Sequence, residues 1–183
     1  MTIKWRNRRN KTMLKKFPTI NEIRVFKAQG PWKTSTGSSL SVRVALSFEW
    51  VTNSFLGYNS EELANISPDI RGLRVYTVRN IPLERRSSSG FHKVRGEIAM
   101  GLDGKVELEC EDVLGDSKKF IITPENGIWM PPYLLQTHQA LEEDSGLILI
   151  ANTLFVAEKK ETHDTYPAED FRRLQQQIKR EGL

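Results

Sequence analysis

The 183-residue chain predicts an all-β sandwich or barrel, and three observations carry that reading. Short strand-like runs follow one another from residue 22 onward. Several alternate apolar and polar residues with the period of two that a half-buried strand requires. Turn signals, rather than helices, separate them.

The runs are residues 22–28, 41–49, 73–79, 96–102, 105–111, 119–123, 128–130 and 146–152. In Lys105-Val106-Glu107-Leu108-Glu109-Cys110 the apolar residues share one face. Asp103-Gly104 reads as a hairpin turn, and Leu114-Gly115-Asp116-Ser117 closes the next hairpin. Pro124-Glu125-Asn126-Gly127 is a further turn. Residues 60–65 read as a short helix capped by Asn59 or Ser60. A second helix opens at Pro167, which suits a first turn, and runs toward Arg180. Its Phe171, Leu174 and Ile178 fall on one face, fit to dock on the barrel or on a partner subunit. The chain thus divides into a basic tail over 1–20, a β-barrel over 21–166 and a closing helix over 167–183.

Composition narrows the function classes. Apolar residues make up 38% and charged residues 27%, a globular balance. No apolar run approaches the about 20 residues that cross a bilayer, so no membrane partner is expected. The first residues lack the apolar stretch of a signal peptide. Cys110 is the single cysteine and has no disulfide partner, so the cytoplasm is the expected compartment. The net charge of +4 comes from the tail: seven of the 27 basic residues precede the first acid, Glu22, leaving 20 against 23 acidic. No basic stripe continues into the body, which argues against nucleic acid as a partner.

The residues that can carry chemistry cluster after the polar loop Arg85-Arg86-Ser87-Ser88-Ser89, in Gly90-Phe91-His92-Lys93-Val94-Arg95-Gly96-Glu97 and the run to Gly104. This stretch resembles the first cupin motif, two histidines one residue apart, then a glutamate, then a glycine seven positions on. Glu97 and Gly104 keep the last spacing, His92 stands at the second histidine, and Gly90 takes the place of the first. A literal match of Gly90-Phe91-His92 would instead make His92 the first histidine with two residues missing; the gapless version keeps strand register. The second cupin motif sets a histidine five residues after a proline, and here Pro131 is followed at that spacing by Gln136. Only His92 and Glu97 are strong ligands at the four usual positions, and His138, on the strand face of Gln136, would add one nitrogen. A transition metal asks for three or four converging donors, so no metal or other cofactor is expected.

Among metal-free cupins the chain resembles the dTDP-sugar 3,4-ketoisomerases and, more distantly, the dTDP-4-dehydrorhamnose 3,5-epimerases. The likeness spans residues 70–174 and rests on Leu73-Arg74-Val75-Tyr76, Gly90-Phe91-His92 and Gly127-Ile128-Trp129-Met130-Pro131-Pro132 in that order, with Asp164, Tyr166 and Glu169-Asp170-Phe171 toward the end. The family's signature carries a second histidine and an arginine before the glycine; here one histidine is absent and Ser89 precedes Gly90.

The resemblance implies a double-stranded β-helix jelly roll with a short C-terminal helix, assembled as a homodimer. It implies isomerisation or epimerisation of a dTDP-linked 4-keto-6-deoxyhexose in deoxysugar and polysaccharide biosynthesis. The alternative is a catalytically silent cupin that binds a nucleotide sugar or another small polar ligand. Proton transfer next to a carbonyl needs a base with a pKa near the working pH, for which His92 is the candidate. The developing oxyanion needs a fixed donor, from Tyr76, Arg79 or Gln136. A pyrophosphate calls for Arg79, Arg85, Arg86 or Lys93. A base platform could come from Trp129 or Tyr133. Glu97 and His138 complete the expected binding set. Each has a plain structural reading beside it: His92 as a satisfied barrel histidine, the aromatics as core, the Arg85-Arg86 pair as a solvated loop.

Overall fold

The computed structural model describes residues 17–33, 41–44, 71–87 and 89–181. The readings made for most of the tail, for residues 45–49 and for the helix at 60–65 lie outside these.

Among the described residues twelve strands and one α-helix follow in chain order: β1 (Arg24–Lys27), β2 (Gln29–Lys33), β3 (Ser41–Val44), β4 (Arg71–Val78), β5 (Gly90–Phe91), β6 (Glu97–Asp103), β7 (Val106–Glu111), β8 (Ser117–Ile122), β9 (Asn126–Met130), β10 (Leu135–Ala140), β11 (Gly146–Thr153), β12 (Tyr166–Pro167) and α1 (Ala168–Glu181). They form two five-stranded antiparallel sheets, β1-β9-β6-β11-β4 and β12-β5-β10-β7-β8, with β2 and β3 as a separate pair. This is the jelly-roll arrangement expected of a double-stranded β-helix.

Neighbouring strands in the chain keep changing sheets. The turn at Asp103-Gly104, expected to close a hairpin, instead carries the chain from β6 in one sheet to β7 in the other. Gly104 has φ of 60°, so the turn chemistry is that of a hairpin, but a turn signal fixes a reversal and not which strand pairs with which. The turn at 114–117 does close a hairpin, setting Ser117 opposite Glu111. The two sheets meet closely where a Cβ on Gly101 would lie 2.1 Å from the Thr123 carbonyl carbon, so only glycine fits.

Alternation decides the core. The inward residues of β7, Val106, Leu108 and Cys110, are fully buried against Ala99, Ile128, Met130, Leu147 and Leu149 of the opposite sheet. The Cys110 thiol donates toward the Met130 sulfur at 3.6 Å, and burial pushes its pKa up to about 12. A second cluster lies under α1, where Phe171 and Ile178 pack on Phe91, Tyr133 and Leu135. Gln175 and Arg172 tie the same helix to Glu111. The helix is anchored to the barrel one residue before His92, and that contact positions the site. Among the described residues no helix is long and apolar enough to cross a membrane.

Candidate active site

Strand register brings a polar group together at the end of the barrel where β6 begins. Glu97 opens β6 opposite Ala151 and Met130, on the inward face. Tyr76 reaches the same face from β4, opposite Leu149. Gln136 lies on β10 directly opposite Gly90, and His138 is two residues further along the same face. Gly90 therefore faces inward, where a first histidine would stand, and His92 follows one alternation later.

His92 is 7% exposed. Its Nδ1 lies 2.6 Å from the Asp164 carbonyl oxygen, which can only accept, so Nδ1 carries the hydrogen. That leaves Nε2 as the nitrogen able to exchange a proton. It lies 3.3 Å from Glu97 Oε2. The Tyr76 hydroxyl donates to the other oxygen, Oε1, in a short hydrogen bond. The result is a buried chain of hydroxyl, carboxylate and imidazole.

Two residues to which the sequence reading gave no role complete the arrangement. Arg95, 6% exposed, places Nη2 2.7 Å from both ring nitrogens of His92 and 3.2 Å from Thr165 Oγ1. Its Nε sits 3.0 Å from Glu97 Oε1 but is misaligned for a hydrogen bond, so charge rather than geometry holds that pair. Asp164, with φ of 40°, takes the backbone N–H groups of Lys93, Val94 and Arg95 on its carboxylate at 3.0, 3.0 and 2.7 Å. One aspartate thus pins the loop that carries both His92 and Arg95. Neither residue belongs to a motif; an arginine three positions after the histidine, between two apolar strands, was the available signal.

The electrostatics follow from burial and neighbours. Burial alone would depress His92, but the charge and hydrogen bond of Glu97, with help from Asp164, win and raise its pKa above the ordinary histidine value. Burial works to raise Glu97, yet His92, Tyr76 and Arg74 together hold it below the usual carboxylate range. Burial and Glu97 push the Tyr76 phenol well up, so it stays a donor. His138 is driven down by burial, and its Nε2 is enclosed without a hydrogen-bond partner. Burial also raises Asp164.

The remaining expected residues lie elsewhere. Arg79 is at the opposite end of β6, ion-paired to Asp103 at 2.9 Å, because β4 and β6 flank β11 with their far ends at Val78 and Asp103. Arg86 pairs with Glu107 and Glu109 on the outward face of β7, and Arg85 is exposed in the same loop. Trp129 alternates with the inward Ile128 and Met130, so it faces outward, 6.0 Å from the Arg24 guanidinium. Tyr133 is a core aromatic beneath α1. Lys93 stands at the edge of the site with Nζ 3.9 Å from the Tyr166 ring. Among the described residues no three His, Cys, Asp or Glu side chains converge as a metal centre would need.

The fold is thus a jelly roll of two antiparallel sheets with a buried histidine, carboxylate and phenol at one end. No protein-family model matches the sequence, and no curated protein does. Solved structures do. The sugar 3,4-ketoisomerase QdtA from Thermoanaerobacterium thermosaccharolyticum, in complex with TDP, superposes with a TM-score of 0.56 at 15% identity, covering 90% of this chain and 100% of that one. The TDP-fucose-3,4-ketoisomerase WlaRA from Campylobacter jejuni gives 0.53 at 16% identity over 86% and 98% of the two chains. The dTDP-6-deoxy-D-glucose-3,5-epimerase RmlC from Legionella pneumophila gives 0.54 at 13% over 82% and 74%. Identities this low establish the shared fold.

Proposed function

We propose that this protein is a metal-independent isomerase or epimerase of a dTDP-linked 4-keto-6-deoxyhexose, with His92 moving the proton. The single observation that carries the reading is the buried His92–Glu97–Tyr76 chain, with the Nδ1 hydrogen of His92 committed to the Asp164 carbonyl. The likeness of fold to the ketoisomerases and the epimerase supports the substrate class.

The chemistry requires a base, a partner for the charge it acquires, and a donor for the oxyanion. Neutral His92 removes the proton from the carbon beside the ketone; the C–H electron pair forms the enediol and the carbonyl oxygen becomes the oxyanion. Glu97 stabilises the imidazolium that results. A substrate carbonyl beside His92 offers the Arg95 guanidinium an oxygen in exchange for the ring nitrogen, and that charge then opposes the developing oxyanion. For ketoisomerisation, the imidazolium delivers the proton to the former carbonyl carbon, while the carbon that lost it becomes the new carbonyl as its hydroxyl proton passes to the enediolate oxygen; for epimerisation, the carbon that lost the proton takes one from water on the opposite face and the imidazolium releases its own to solvent. Asp164 keeps the imidazole in the reactive tautomer throughout.

The test is exchange of a ring C–H of the 4-keto sugar nucleotide for deuterium in heavy water, followed by NMR. The intact protein exchanges and His92→Asn does not. The silent-binder reading has one observation in its favour, the guanidinium lying against Nε2. Thermal stabilisation by the nucleotide sugar without any exchange would establish that reading instead, and absence of both would remove the pair.

We further infer a cytoplasmic homodimer. The free buried thiol of Cys110 suits a reducing compartment. The outer face of the first sheet presents Leu73 and Val75 half exposed on β4, beside Ile148 and Ile150 on β11, as a surface for a second copy.

A further inference from the structure

Of the expected phosphate and base contacts, Arg79, Arg86 and Trp129 lie away from His92, Tyr133 meets it only through the backbone while its ring packs under α1, and Lys93 stands at the edge of the site, so the nucleotide half of the proposed substrate needs further partners. Resting on that reading of the substrate, we propose that Arg74 and Phe155 form the nucleoside diphosphate subsite, with Arg74 on the phosphates and Phe155 under the base.

Arg74 is two residues before Tyr76 on β4 and shares its inward face, about 7 Å away along the strand. Its guanidinium carbon lies 5.1 Å from the Tyr76 ring and 5.4 Å from the Phe155 ring. It therefore bridges the reacting end of the site and the segment that follows β11. Its Nε is enclosed and makes no hydrogen bond, so a phosphate would meet the guanidinium through its terminal nitrogens. Its charge already reaches Glu97.

Phe155 is 52% exposed, unusual for a large aromatic side chain with no apolar cluster around it. It stacks on His163 with ring centres 4.6 Å apart and planes 25° from parallel. His163 is one residue before Asp164, whose carbonyl and carboxylate organise His92 and its loop. A ring stack, one peptide link and a hydrogen bond thus connect the Phe155 ring to His92. His92, Tyr76, Arg74 and Phe155 run from buried to exposed in the order that a hexose, a diphosphate and a base follow one another in a nucleotide sugar. A guanidinium beside a half-exposed aromatic ring is the chemistry that meets a phosphate joined to a nucleobase.

Calorimetric titration of the full chain with thymidine diphosphate and with inorganic pyrophosphate tests both halves. Arg74→Gln weakens binding of both probes, by about 10- to 150-fold for a lost charge-assisted contact. Phe155→Leu keeps bulk and removes the aromatic face; it weakens thymidine diphosphate alone by about 5- to 150-fold, and Phe155→Tyr restores it. Melting temperatures confirm that each variant is folded, and Arg74→Lys serves in place of Arg74→Gln should the latter unfold. Unchanged thymidine diphosphate affinity in Phe155→Leu overturns the base half, and unchanged pyrophosphate affinity in the arginine variant overturns the phosphate half, with the sugar isomerase reading intact. Failure of the unaltered protein to bind thymidine diphosphate overturns that reading and this one together.

Discussion

At the scale of single residues, Glu97 sets how His92 behaves. A base must be neutral to accept a proton, and the Glu97 charge favours the imidazolium. The acid limb of kcat/KM therefore lies above the ordinary histidine value of about 6.5. Glu97→Gln removes the charge while keeping an acceptor, so the limb moves to lower pH and the His92 ring signals titrate lower by NMR; an unmoved titration would remove Glu97 from this role. The same pair gives stability a sign. His92 has a raised folded pKa, so its contribution is fully present below about pH 6.5 and is lost as pH rises through the raised value. His138 is depressed and works the other way: burying it neutral costs stability as pH falls below about 6.5. Melting temperatures followed across that range lose the alkaline decline in His92→Asn and the acid decline in His138→Gln. The sequence spacing singled out His92, Glu97, Gln136 and His138, which the structure places on inward faces. The roles of Arg95, Asp164 and Arg74 were not legible, because Asp164 acts on a loop about 70 residues before it, Arg74 meets Glu97 only across the sheet, and Arg95 faces its near neighbours His92 and Glu97 only once the loop is folded.

At the scale of elements, Asp164 and α1 hold the His92 loop from two sides. Asp164→Ala leaves three backbone N–H groups without their acceptor, and each costs about 1–3 kcal/mol if nothing replaces it. Phe171 is fully buried with its ring centre 5.2 Å from that of Phe91. Phe171→Ala costs about 3–5 kcal/mol in denaturant unfolding and slows deuterium exchange into substrate, because Phe91 precedes His92. Arg173→Ala, on the exposed face of the same helix, changes stability by less than about 0.5 kcal/mol and serves as the control. Equal losses in the two variants would show that the apolar face of α1 does not hold the barrel. This helix was readable because Phe171, Leu174 and Ile178 recur at helical spacing; the buried set also includes Gln175, whose amide pairs with Glu111 and the Asp112 carbonyl. Strand β10 had no such signature. Its inward residues include Gln136 and His138 and its outward ones Thr137 and Gln139, so polarity does not alternate and the pattern that revealed β7 is missing.

At the scale of the whole molecule, the two faces of the first sheet differ in what covers them. The inner face packs on the second sheet. The outer face bears Leu73 at 50% exposure and Val75 at 59%, with β4 as an edge strand among the described residues. An exposed apolar row on an unpaired edge favours association, and a second copy of the chain buries both at once across a two-fold axis. Val75→Lys places a charge at the centre of that row, beside Ile150 on β11 and remote from the inward His92 cluster. A like charge from each copy would then meet across the axis. Sedimentation equilibrium of the unaltered chain gives a dimer, and Val75→Lys gives a monomer that still melts cooperatively. Thr77→Lys, two residues along the same outward face, weakens the dimer less because it sits nearer the end of the row. A monomeric unaltered chain, or a Val75→Lys dimer of undiminished stability, would assign the apolar face to some other partner and leave the site complete within one copy.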